Sequence, residues 1–343
     1  MNSRQRIMAT VAGDPADRPA FTATLSLYGA ALTGCPLQQY YTSAAAYADG
    51  QAAVAEIFGP DILFTPFSCP AEGEAFGTEV AFFEHQPPNV VRPAVSSVEE
   101  IASLAIPDVE AHPRLMYIRE ALRTMVSAHG RERAIAGIAL SPVGVPLMIM
   151  GISGWMETVL FDPQGARRML DVTRPFSVRW VNALLGDGAD FVAMPAGMLS
   201  PLIVTREIAE DFTRPALVEA LEEVDGPVIL HHAGGPCTRH LDLFVGLPNV
   251  IGVVIDNRDD PGEARRILGP EMVLLAGPSG PELPECTVDQ IEADCRSRLT
   301  RCNGDSKAIL ATAAADIPLA TPAENIHAIC RAVGAYAEGG QDG

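Results

Sequence analysis

Eight short runs of β-branched and aliphatic residues recur along this chain, and stretches with helical spacing of apolar residues separate most of them. The runs cover residues 19–25, 61–66, 134–140, 191–194, 227–231, 250–255, 272–276 and 308–311. Each is too short for a buried helix and is bounded by turn-forming residues, so each reads as a strand. Strands that alternate with helices pair in parallel through crossover connections. Eight such units in 343 residues favour a closed (β/α)8 TIM barrel over an open doubly wound sheet. The Rossmann-like competitor also lacks its GxGxxG after the first strand. Residues 3–11 read as an N-terminal helical extension. Residues 67–107 read as an insertion after the second strand, expected to form a hairpin beside the barrel mouth. No segment has linker character, so a single barrel domain over residues 1–343 is expected.

Composition narrows the partners. A formal net charge of −19 repels phosphate backbones and anionic lipid, so neither a nucleic acid nor a membrane surface is expected. Seven scattered cysteines with no CxxC pair suggest neither a redox motif nor a zinc ribbon. The N-terminus lacks the apolar run of a signal peptide, and no stretch approaches the roughly 20 apolar residues that span a bilayer. A reduced, cytoplasmic protein is the expectation.

Chemistry in a parallel barrel gathers just past the C-terminal ends of the strands. The fifth run ends in His231 and His232, followed by a Gly pair, Cys237 and His240, the densest group of ligand-type side chains in the chain. Adjacent strand residues face opposite sides, so only one of the two histidines can face the barrel axis. His231 is the first choice as general acid, base or ligand, with His232 behind it. Should a metal be held there, His231, Cys237 and His240 are the candidates, although their spacing matches no standard zinc motif. Past the second run, Glu72 and Glu74 are expected to point into the mouth. Two like charges close together would raise the pKa of one and make it a proton donor. Asp256 ends the sixth run and would orient a histidine or touch substrate. Ser141 and Met194, past the third run and at the end of the fourth, are further candidates for the substrate wall, and Arg239 and Arg258 for holding a substrate carboxylate. Thr321 to Glu324 has the spacing of a capping box that opens the last helix.

Several segments in order resemble the uroporphyrinogen decarboxylase superfamily, most of all its methylcobamide:coenzyme M methyltransferase branch. They are the opening RIMATVAGDPADRPAF, EGEAFG, the stretch from Gly151 to Pro163, GDGADFVAMP, GPVILHHAGG and DIPLATPAENIHAI. The resemblance implies a small-molecule substrate, a methylcobamide delivered by a corrinoid protein, and a zinc site of one histidine and two cysteines. Carried over, the histidine falls on His231 but the cysteines fall on Ala233 and Ala315, so the expectation is a methyltransferase without zinc. The decarboxylase branch's arginine-rich substrate loop has no counterpart after Pro19, where TATLSLYGAALTG is neutral. Two alternatives stand beside this reading. One is a metal-independent decarboxylase or lyase using His231 or His232 as general acid; the other is a non-catalytic ligand-binding member. A homodimer paired through the outer helices is a further expectation.

Overall fold

A computed structural model describes residues 1–339. In chain order the strands are β1 (Ala20–Thr22), β2 (Ile62–Phe64), β3 (Glu79–Ala81), β4 (Asn89–Arg92), β5 (Ala134–Ile138), β6 (Phe191–Pro195), β7 (Val228–His231), β8 (Val250–Val254), β9 (Val273–Ala276) and β10 (Ala308–Ala311). Eight of them form one parallel sheet in the order β1-β10-β9-β8-β7-β6-β5-β2. The Asp61 amide donates to the Phe21 carbonyl at 2.8 Å, which joins the two ends of the sheet and makes a (β/α)8 barrel. All eight strands overlap the runs read from the sequence. Most are shorter than the runs, trimmed at one or both ends.

The insertion does contain a hairpin, β3 against β4. It is fastened to the helix Val145–Met150 that follows β5, through Thr78 Oγ1 on the Met148 carbonyl at 2.8 Å and the Ala94 amide on the Ile149 carbonyl, also at 2.8 Å. That places it beside the mouth.

Two layers of apolar packing result from strands buried on both faces. Inside the barrel, Ala20, Ile62, Ala134, Ala136, Phe191, Ile229, Val273, Leu275, Ile309 and Ala311 fill the axis with Ile7 of the N-terminal helix. Outside it, the opposite faces pack on the surrounding helices. The helix Ser3–Ala12 closes the lower end of the barrel. Its start is set by a capping box between Asn2 and Gln5, and its end by Gly13 at φ 83°, a left-handed position that glycine tolerates. An ion cluster pins this helix. Asp61 is fully buried and accepts from Arg6 Nη1 at 2.6 Å, from Arg18 Nη1 at 2.9 Å and from the Phe21 amide at 2.8 Å. The expected capping box at the last helix does not form. Thr321 Oγ1 has no partner among the described residues, and its carbonyl instead accepts from the Tyr28 hydroxyl at 2.9 Å. No described helix is long and apolar enough to cross a membrane.

Candidate active site

His231 is the last residue of β7, and strand alternation puts it on the inner face with Ile229. It opens into a cavity of about 50 Å³ at the top of the barrel, whose wall includes Thr22, Thr24, Phe67, Pro195, Thr312, Ala314 and Ala315. Immediately after β7 the chain makes a left-handed turn at Ala233, with φ 58°. That turn aims the Ala233 amide back at His231 Nδ1, 3.0 Å away. Since Nδ1 accepts this hydrogen, the ring's proton resides on Nε2 and the imidazole is a donor. Burial, with a lesser push from neighbouring His232, lowers the pKa of His231 to about 3, so the ring stays neutral.

His232 is buried beside it. Its Nε2 accepts from the Ala314 amide at 3.1 Å, across 82 residues of sequence. Its Nδ1 lies 3.1 Å from the Gly235 carbonyl and 3.4 Å from Asp256 Oδ2, and the Gly234 and Gly235 amides also approach it. A doubly protonated ring would set Nε2–H against the Ala314 N–H, so the packing holds His232 neutral. Burial likewise lowers its pKa, outweighing the attraction of Asp256. The two imidazoles stack at 4.5 Å between centroids with 24° between planes.

Asp256, also buried, is fixed by Arg258 through Nε at 2.6 Å and Nη2 at 3.0 Å. Burial opposes ionisation of Asp256, but the Arg258 guanidinium and amide outweigh it and hold the carboxyl below its usual range. Arg258 is thereby engaged by Asp256, and Arg239 is exposed. Neither arginine lines the cavity beside His231.

Cys237 and His240 turn away from His231. The Cys237 amide and thiol both donate to Asp259 Oδ2, at 2.9 and 3.2 Å, and burial pushes the thiol far above its ordinary pKa. His240 Nδ1 lies 3.0 Å from the Leu199 carbonyl. Among the described residues no group of three or more His, Cys, Asp or Glu side chains is arranged to hold a metal ion. What surrounds His231 is threonine, alanine and apolar side chains, a donor set that does not fit zinc.

The glutamates also diverge. Glu72, in the short helix Pro70–Ala75, is buried behind the mouth and accepts from the Leu140 amide through Oε1 at 2.7 Å. Its Oε2 has no partner among the described residues. Its pKa is pushed up to about 8, but by burial and not by a second carboxylate. Glu74 instead pairs with Arg114 Nε at 2.7 Å. Met194 faces the outer helices, while Ala193 and Pro195 of the same strand face the cavity. Ser141 is buried just past β5, and its Oγ has no partner among the described residues. Sequence reasoning passed over Thr22, Thr24 and Thr312, the hydroxyl residues on the cavity wall. It also gave Asp316 no role, yet Asp316 clamps the Ser26 and Leu27 amides at 2.9 and 2.8 Å and ties the loop after β1 to the loop after β10.

A family model described as uroporphyrinogen decarboxylase (URO-D) matches residues 2–336. Among curated relatives, the methylcobamide:CoM methyltransferase MtbA of Methanosarcina acetivorans is 26% identical over 268 residues, 75% of this chain and 77% of that protein. The methylcobamide:CoM methyltransferase MtaA of Methanosarcina barkeri is 22% identical over 343 residues, 97% of this chain and 98% of that protein. The solved structure of a methyltransferase from Methanosarcina mazei superposes with a TM-score of 0.88 at 21% identity, covering 98% of this chain and 99% of that one, and shows the same fold.

Proposed function

The chain belongs to the uroporphyrinogen decarboxylase (URO-D) family, and from that premise we propose that it is a corrinoid-linked methyltransferase. It moves a methyl group between a methylcobamide carried by a partner protein and a small-molecule acceptor. The observation that carries this reading is similarity, over nearly the whole chain, to proteins named methylcobamide:CoM methyltransferases. The site accords with it, since His231 opens at the end of the barrel where a partner's cofactor can be presented.

The corrinoid supplies the methyl group when its carrier is docked; the chain's own residues hold the acceptor. His231 Nε2–H donates to the acceptor heteroatom, and Phe67, Ile138 and Pro195 keep water from the reacting end. The cavity beside His231 is small, about 50 Å³, and the reading places the reacting end of the acceptor in it. Among the described residues the wall offers neither a lysine or arginine nor a set of metal-ligating side chains to lower a thiol's pKa. The reading therefore favours an acceptor that is nucleophilic as it arrives, such as a phenolate or a reduced pterin nitrogen. The lyase alternative requires an imidazolium as general acid, and both histidines are held neutral by their amide partners.

The test is anaerobic incubation with methylcobalamin and, in turn, a thiol, a phenol and a tetrahydropterin. The cobalt–carbon absorption is followed and the methylated product is identified by mass spectrometry. Methyl loss that depends on the phenol or pterin is expected, together with a fall of roughly 100-fold in His231→Ala, in line with the loss of one aimed donor. No transfer to any acceptor, or full activity in His231→Ala, would overturn the proposal.

A further inference from the structure

His232 makes no contact with the cavity, yet it touches both of the walls that shape it. On one side its ring lies flat on His231, 4.5 Å away. On the other, its Nε2 is the acceptor for Ala314, which lines the cavity opposite. Ala314 has φ 71°, a backbone conformation that an L-residue avoids unless something holds it. Its neighbours are held from the other direction, with the Ala313 amide on the Pro278 carbonyl at 2.8 Å and the Thr312 amide on the Thr22 carbonyl at 3.3 Å. Among the described residues the hydrogen-bond partner of the Ala314 amide is His232. Behind the ring, Asp256 and Arg258 keep His232 from swinging out.

We propose that His232 is the positioning residue of this site, fixing the ring of His231 by stacking and the wall of Ala314 and Ala315 by accepting the Ala314 N–H. The inference takes the role of His231 from the methyl-transfer reading, but the geometry it asserts stands or falls apart from that activity. An imidazole is suited to the task because one flat ring offers an acceptor on its far edge and a face for stacking. Asparagine reaches only as far as Nδ1. Glutamine reaches Nε2 but has no ring. The two substitutions therefore separate the hydrogen bond from the stack.

Three measurements test the proposal. In the wild-type protein, labelled with ¹⁵N, a through-hydrogen-bond coupling between the Ala314 amide nitrogen and His232 Nε2 is expected; its absence refutes the bond without any variant. In His232→Asn the Ala314 amide should exchange with solvent about tenfold faster, the effect of losing one net hydrogen bond, and the His231 ring, still bonded at Nδ1 by the Ala233 amide but without its stacking partner, should show averaged side-chain rotamers in its three-bond couplings. In His232→Gln the exchange protection should return while the rotamer averaging remains. Unchanged exchange and an unchanged His231 rotamer in His232→Asn would sink the proposal. In the methylcobalamin assay, His232→Asn should lower kcat with KM for methylcobalamin preserved. If wild-type protein shows the coupling but no methyl transfer, the positioning role holds and the reaction assigned above fails; if it transfers methyl groups without the coupling, the reverse is true.

Discussion

Replacing Glu72 with glutamine isolates one buried carboxyl and asks whether it is protonated in the folded protein. The carboxyl accepts from the Leu140 amide at 2.7 Å through Oε1, while Oε2, on the side of the Trp180 indole N–H, has no hydrogen-bond partner among the described residues. Burial raises its pKa from 4.5 to about 8. Between those values the folded protein keeps a proton that the unfolded chain has released. The stability this carboxyl contributes is therefore complete below pH 4.5 and is lost progressively as pH rises towards 8. At pH 7 the loss spans 2.5 pH units, about 3–4 kcal/mol at roughly 1.4 kcal/mol per unit. Glutamine cannot ionise and keeps an oxygen for Leu140, but it adds N–H groups that lack acceptors, at a constant cost of about 1–3 kcal/mol. The diagnostic is thus the slope. In urea unfolding, the stability of Glu72→Gln relative to wild type should rise by close to 1.4 kcal/mol per pH unit between about pH 5.5 and 7, and the rise should flatten near pH 8. Asp316, also raised to about 8 by burial, is common to both proteins and cancels in the difference. A difference that does not vary with pH would show Glu72 titrating normally and would refute the account of its environment.

At the other end of the barrel, Asp61→Ala removes a fully buried carboxylate from Arg6, which keeps its pair with Asp17, and from Arg18, and should cost about 1.5–3 kcal/mol in urea unfolding. A loss under 1 kcal/mol, the upper range of an exposed pair, would mean that the cluster does not pin the N-terminal helix. Elemental analysis before and after mild chelation should find no stoichiometric zinc, and chelation should leave the thermal midpoint unchanged, because His231, Cys237 and His240 turn to three different partners. Zinc bound at one per chain would overturn that description of the site.

How far the site could be read from sequence depended on how much each segment's pattern distinguished its two faces. The barrel was legible because eight apolar runs between helices admit few arrangements, and the strand ends then drew attention to His231, the last residue of β7, to His232 after it, and to Asp256, which follows β8. Sidedness was harder. In β6 every position of Phe-Val-Ala-Met-Pro is apolar or cyclic, so nothing marks which alternate set faces the axis, and Met194 falls on the helix side. β1 and the residues after it carry a signal that β6 lacks. Thr22 and Thr24 alternate with Ala23 and Leu25, and the two threonines line the cavity while the other two pack outward. Glu72 and Glu74 are two apart in a helical turn, about 200° around its axis, so they could not have shared a site once that helix was recognised. Cys237 and His240 follow the Gly234–Gly235 pair, where backbone direction is free of side-chain pattern, and no spacing rule reveals that Asp259 captures the thiol. Polar alternation at the upper end of a buried strand is therefore the most informative local mark of a barrel's chemical face, since lower down both faces must be apolar for the barrel to close.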